Sequence, residues 1–187
     1  APATMDWEIE TFADVQVLSY DIPGFDSLTT KQKTYVYYLY EAGLSGRDIT
    51  WDQNYQYNLE IRNALEHIVK NYTGDKAAAE WEAFMVYTKR VWFSNGIHHH
   101  YSMDKFLPEF SRTYFETLLA ETGAVLDSVV ITAMFDPAID TKRVNQDPKS
   151  DMVQSSAMNF YGEGVTQKDV ENYYKPLMAN GGPTPVE

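Results

Sequence analysis

Between Tyr57 and Tyr72 the apolar residues Tyr57, Ile61, Ala64, Leu65, Ile68 and Tyr72 recur at steps of three and four. Such steps bring side chains to one face of an α-helix, so this stretch is predicted to be an amphipathic helix that must bury its stripe against something else. Gly74 supplies its stop. A second helix is predicted over about 76–93, opening on three alanines and carrying Trp81, Phe84, Thr88, Val91 and Trp92 on one broad face. Shorter helices fit 111–122, ending at Gly123, and 127–134, before Asp136-Pro137. Four helical faces within one stretch of chain require a helical core.

Capping signals frame the two remaining helices. Thr29 with Gln32 has the form of a capping box, in which a hydroxyl and a side-chain amide each satisfy an end donor. The helix it starts should run to about Leu44, with Gly43 and Gly46 marking its end and Ser45-Gly46-Arg47-Asp48 reading as a turn. Thr166 with Asp169 starts a final helix, with Val170, Tyr173, Tyr174 and Leu177 inward and Pro176 kinking or ending it. Before Thr29 there is no helical period, and Pro23-Gly24 is a turn signal. The chain therefore reads as an extended N-terminal arm over 1–28, a helical portion over 29–180 and, over 181–187, a flexible tail or a point of truncation. The fold class is mainly α, with short strands expected around Val15–Tyr20 and Ala157–Tyr161 whose partners lie elsewhere. Residues 136–156 lose all periodicity and read as a long surface loop or an arm laid on another part of a protein.

Composition removes several functions. With 15 basic and 27 acidic residues the formal net charge is −12, a poor match to nucleic acid, whose phosphates call for clustered Lys and Arg, or to an anionic membrane. No run approaches the ~18 apolar residues of a membrane span. Zero cysteines exclude disulfides and thiolate chemistry and suit a cytoplasmic or an exported protein alike. Ala1-Pro2-Ala3-Thr4 reads either as the remnant of a trimmed export signal or as an arbitrary start. Dinucleotide, Walker, serine-hydrolase and His-Glu-x-x-His signatures are missing. The acidic pairs Glu8/Glu10 and Glu80/Glu82 read as solvated faces, and Trp51, Tyr55 and Tyr57 as core aromatics with stacking on a ligand as the alternative.

Three of the four histidines stand together in "SNGIHHHYSMDKFLP", residues 94–108. In an extended stretch His98 and His100 share a face and His99 points the other way, so His98/His100 has metal-ligand spacing but no obvious third ligand. The run is short and internal, unlike an affinity tag. Asn95-Gly96 supplies a tight turn, the imidazoles of His98, His99 and His100 offer donors and acceptors, and Tyr101 adds a flat apolar face with a polar tip. That mixture suits a cleft for extended peptides. His67, on a helix beside the apolar face, reads as a structural histidine.

Four stretches resemble the N-terminal region of the dipeptidyl peptidase III family of zinc metallopeptidases, especially its bacterial branch: "KQKTYVYYLYEAGLSGRDI" from Lys31, "WDQNYQYNLEIRNALE" from Trp51, "AFMVYTKRVWFSNGIHHHYSMDKFLPEF" from Ala83 and "SSAMNFYGEGVTQKDVENYY" from Ser155. The third is the most specific. The family's His-Glu-x-x-Gly-His helix and its second, Glu-Glu-Cys-Arg-Ala zinc motif are not in this chain. The resemblance thus implies the helical, substrate-cleft-forming part of a two-lobed zinc peptidase that releases dipeptides from the N-termini of short peptides. On that reading the zinc and the general base belong to a missing C-terminal catalytic portion of the same polypeptide, α+β as a whole, and this chain alone is inactive and binds no zinc. The resemblance also implies that Tyr101 matches an aromatic packing on the amino-terminal part of a bound peptide. Gly96 matches the glycine before it, and His100 stands where other members have a small hydroxyl residue. His98 and His99 replace a Tyr-Lys pair of the eukaryotic branch. The excess of carboxylates would favour a peptide's ammonium group. Two other readings stay open: a free-standing module holding a divalent metal through His98 and His100, and a structural domain whose tyrosine-rich face docks on a protein partner.

Overall fold

The computed structural model describes residues 7–179 and residue 181. The segment Ala1-Pro2-Ala3-Thr4 and, apart from Gly181, the tail expected to be flexible lie outside the described residues. The architecture is mainly α, with one two-stranded antiparallel sheet. Among the described residues no helix is long and apolar enough to cross a membrane. Two compact units divide at Thr50/Trp51, inside a helix and not at the 28/29 boundary of the sequence reading.

The first unit contains β1 (Glu8–Phe12), β2 (Val15–Leu18) and α1 (Thr30–Ser45). Here the expected arm is corrected: the strand near Val15 finds its partner within the chain, pairing Phe12 with Val15 and Glu8 with Leu18 across a bulge. The turn between them places Ala13 at φ 47°. Alanine is not a residue that announces a left-handed turn, so the hairpin leaves little trace in the sequence. Gly24, at φ 85°, makes the expected Pro23-Gly24 turn into a single 3-10 turn at Phe25–Ser27. The Thr29 hydroxyl accepts from Gln32 N while the Gln32 side chain accepts from Thr29 N, which is the capping box read from the sequence.

A short helix that the sequence reading took for a turn, α2 (Arg47–Asn54), leads into the second unit. That unit packs α3 (Asn58–Asn71), α4 (Ala79–Ser94), α5 (Arg112–Thr122) and α6 (Ser128–Phe135), with α7 (Gln167–Met178) last. The predicted stripe of α3 is inward: Ile61, Ala64, Leu65 and Ile68 are buried against Trp81, Phe84, Tyr87 and Val91 of α4 and Phe115 and Leu118 of α5 in one core. Aromatic rings fill its centre, Tyr72 stacking on Trp81 at 4.5 Å and Phe84 meeting Phe110 edge to face at 5.6 Å. Each such ring removed from water contributes ~1.5–3 kcal/mol. Trp51 and Tyr55 belong to this core rather than to an open stacking surface. Glu80, read as part of a solvated face, accepts from the Ser111 amide and hydroxyl at the start of α5.

Helix α7 departs from expectation in two ways. Its capping box forms as read, but only Val170 is buried, Tyr173 and Leu177 being exposed. Pro176 lies inside the helix near its end, where few following donors depend on regular geometry. The strand expected at Ala157–Tyr161 is likewise absent. Ala157 N and Met158 N donate to the carbonyls of Lys142 and Arg143, and Asn159 N donates to Gln53 O. The segment is extended and paired, but the pairing is too short and too soon diverted to make a strand.

Candidate functional site

The candidate site grows out of the end of α4. Asn95 takes the left-handed conformation at φ 53°, and Gly96 N reaches back to Val91 O at 3.0 Å, closing the helix in the manner of a Schellman motif. Gly96 itself sits at φ 147°, and a Cβ there would overlap the Asn58 amide. Helix end and loop are joined through Asn58, which is completely buried. Its Nδ2 donates to Trp51 O at 3.1 Å and to Asn95 O at 3.4 Å, while its Oδ1 accepts from Ile97 N at 3.1 Å. Buried backbone donors need partners, and Asn58 supplies one where no regular element can.

Beyond Gly96 the chain forms a narrow ribbon. Phe106 N donates to Ile97 O, His98 pairs antiparallel with Lys105, and His99 N donates to Asp104 O, so the loop 99–104 is closed at its base. At its tip the His99 Nδ1 accepts from Tyr101 N at 3.1 Å and Ser102 N at 3.0 Å. That geometry assigns the proton of neutral His99 to Nε2. The segment 136–156, read as a long surface loop or an arm laid on another part of a protein, continues the ribbon on its other side. Lys105 N donates to Thr141 O, Arg143 N donates to Met103 O, and Lys142 is ion-paired with Asp104 at 2.6 Å. The Lys105 ammonium donates to the carbonyls of Ala133, Asp136 and Ile139, tying off the end of α6.

The three histidines are thereby separated. His98 is 2% exposed, its Nε2 donates to Asp140 O at 2.8 Å, and its ring meets Tyr55 edge to face. The Tyr55 hydroxyl donates to the Asp140 carboxylate at 2.6 Å, and burial followed by that carboxylate raises the tyrosine's pKa. His99 and His100 stack with ring centres 4.4 Å apart, and His100 also meets Phe93 edge to face. Phe93, His100 and Tyr101 are exposed, Tyr101 at 86%, while Asn95 is half-buried and Gly96 buried. The loop therefore presents His99, His100 and Tyr101 outward and commits Asn95, Gly96 and His98 to holding it in place. His98 and His100 do not share a face, so the i, i+2 spacing does not bring them together. Among the described residues no three His, Cys, Asp or Glu side chains gather where one metal ion could be held. His67, on α3, donates from Nε2 to Thr122 O at 2.9 Å, so that nitrogen carries the proton of its ring.

Two recesses open beside the loop. One, of about 370 Å³, is lined by Arg90, His99, Ser102, Asp104, Lys105 and neighbours through Glu109. The other, of about 210 Å³, is lined by Asn54, Met103, Arg143, Met158 and Phe160 among others. In the second the Arg143 guanidinium donates to Asn54 Oδ1 at 3.1 Å, to His100 O and to the Met103 sulfur. Arg143, Asn58 and Asp140 were not legible as site residues, although an asparagine set in the apolar row with Ile61, Leu65 and Ile68 is a signal of a buried polar anchor.

Burial, the largest cause, holds the His98 pKa down to about 4, with Lys105 and Arg143 acting in the same direction and Asp140 opposing. Below the ordinary 6.5 the unfolded chain takes up a proton that folded His98 refuses, so stability falls as the pH drops from 6.5 toward 4. Relative to a His98→Gln variant, which keeps a donor toward Asp140, the wild-type protein is expected to lose about 3 kcal/mol over that interval. Urea unfolding at a series of pH values measures it, and parallel curves for the two proteins would refute the assignment.

Neither a scan against protein-family models nor a search of curated proteins finds a match for this chain.

Proposed function

We propose that this chain forms part of the substrate cleft of a zinc-dependent dipeptidyl peptidase resembling the dipeptidyl peptidase III family, and that its loop 99–104 contacts the amino-terminal part of short peptides. The observation that supports this reading most is the surface of that loop: two stacked imidazoles, an exposed phenol and Phe93, braced from beneath by Asn58, His98 and Lys105. Flat aromatic and imidazole faces with polar edges bind peptide backbone and side chains without demanding one sequence. A rigid mount keeps the ordering cost of such contacts low. On this reading zinc and the base lie elsewhere in the enzyme, and no catalytic step belongs to residues 95–101.

The test is peptide binding. Isothermal titration of short unblocked peptides should give weak binding that a Tyr101→Ala substitution weakens about tenfold, the ~1.4 kcal/mol expected of an aromatic contact. Because Tyr101 is almost fully exposed, the melting temperature should not move. Equal affinity in the variant would remove Tyr101 from the site. N-terminally acetylated peptides should bind less well if a free ammonium group is recognised, and no preference would refute that part.

A further inference from the structure

Residues 7–50 carry a hairpin and a 16-residue helix, yet Val15 is their one buried residue. Isolated hairpins are marginal in water, and a helix of this length draws most of its stability from burying a face. In α1 nothing is buried. Its apolar residues also lack a single face. Tyr35, Val36, Tyr37, Tyr38, Leu39 and Tyr40 are consecutive and all exposed, and at ~100° per residue six in a row pass a full turn. From Thr34 to Tyr40 the helix bears no charge, in a chain whose net charge is −12. A helix apolar all round belongs inside a fold.

We infer that α1 is an interior helix of a larger fold, enclosed on more than one side by a further region of the polypeptide to which residues 1–187 belong. The inference rests on the reading of this chain as part of a longer enzyme. Area supports it: Tyr35, Tyr37, Tyr38 and Tyr40 are each more than half exposed, and at ~150–250 Å² per aromatic side chain they offer roughly 400–500 Å². That is more than half of the ~800 Å² that one side of a stable interface buries, before Val36, Leu39 and Leu44 are counted. A second copy fits less well. A two-fold contact uses one patch of each partner and would leave the rest of the circumference wet. The occupant is therefore polypeptide that presents apolar, charge-free surfaces to at least two sides of α1.

Hydrogen exchange read by mass spectrometry provides the test, comparing the 187-residue chain with the native polypeptide recovered by an antibody against residues 51–180. In the 187-residue chain, run with light scattering to fix its mass, α1 amides should exchange at least about 100-fold faster than those of α3. In a native polypeptide of greater mass they should be protected by a similar factor. Protection of α1 in the isolated monomer, or through dimerisation of the isolated chain, overturns the inference. So does a native mass of 21.5 kDa, a longer polypeptide in which α1 still exchanges fast, or protection that requires a separate subunit. Dipeptide release by the same native sample separates the two ideas. A longer polypeptide with protected α1 but no such activity leaves the interior helix standing and removes the peptidase reading, whereas activity with unprotected α1 does the reverse.

Discussion

Replacing Asn58 with leucine is expected to lower the unfolding free energy by about 3 kcal/mol, although leucine is close in size and far more apolar. The reason lies in the accounting of the buried groups around it. Trp51 O still accepts from Tyr55 N, and Asn95 O still accepts from Asn54 Nδ2. Ile97 N, whose partner is Asn58 Oδ1, is left in a dry interior with nothing to donate to. The full desolvation cost of that amide then stands against a small gain in apolar contact. The loop should loosen as well, because Ile97 is the residue that seats it. Urea unfolding should show the midpoint falling at unchanged slope, and Asn63→Leu on the exposed side of the same helix should stay within about 0.5 kcal/mol of wild type. A loss below about 1 kcal/mol for Asn58→Leu would mean that the turn finds another acceptor for Ile97.

The second large effect belongs to Gly96. Alanine there meets two penalties, a backbone at φ 147° that residues with a Cβ avoid and direct overlap with the Asn58 amide. Together these should cost about 3 kcal/mol. The two penalties are separable, since one depends on Asn58 and the other does not. In an Asn58→Ala background the overlap disappears and the strain remains, so Gly96→Ala should cost about 1–2 kcal/mol less than in the wild-type protein. Strict additivity in that double-mutant cycle would show that the glycine is needed for backbone conformation alone. Both measurements bear on function, because the same two residues set the position of the loop that carries His99, His100 and Tyr101.

Much of the helical framework could be read directly. The row from Ile61 to Ile68, the capping residues Thr29 and Thr166, and the stop at Gly123 all announce themselves through local chemistry, and each is where it was expected. The readings that failed depended on distant parts of the chain. Ala13 gives no sign of the left-handed turn it makes, and nothing near Ala157 indicates that its partner is Lys142. Tyr173 and Leu177 keep helical spacing with Val170, but spacing cannot supply a neighbouring surface to bury them.

The candidate site divides along the same line. By itself the sequence determined that a helix ends at Asn95-Gly96, that three imidazoles and a phenol follow at once, and that the chain lacks thiolates and is strongly acidic. Only the tertiary structure decided which imidazole does what. His98 is drawn inward by Asp140 and Tyr55, more than 40 residues away on either side, while His99 and His100 are left to stack outside. Adjacent residues of one type are equivalent to any local rule, and they become different when contacts between distant segments give each a different dielectric and different partners.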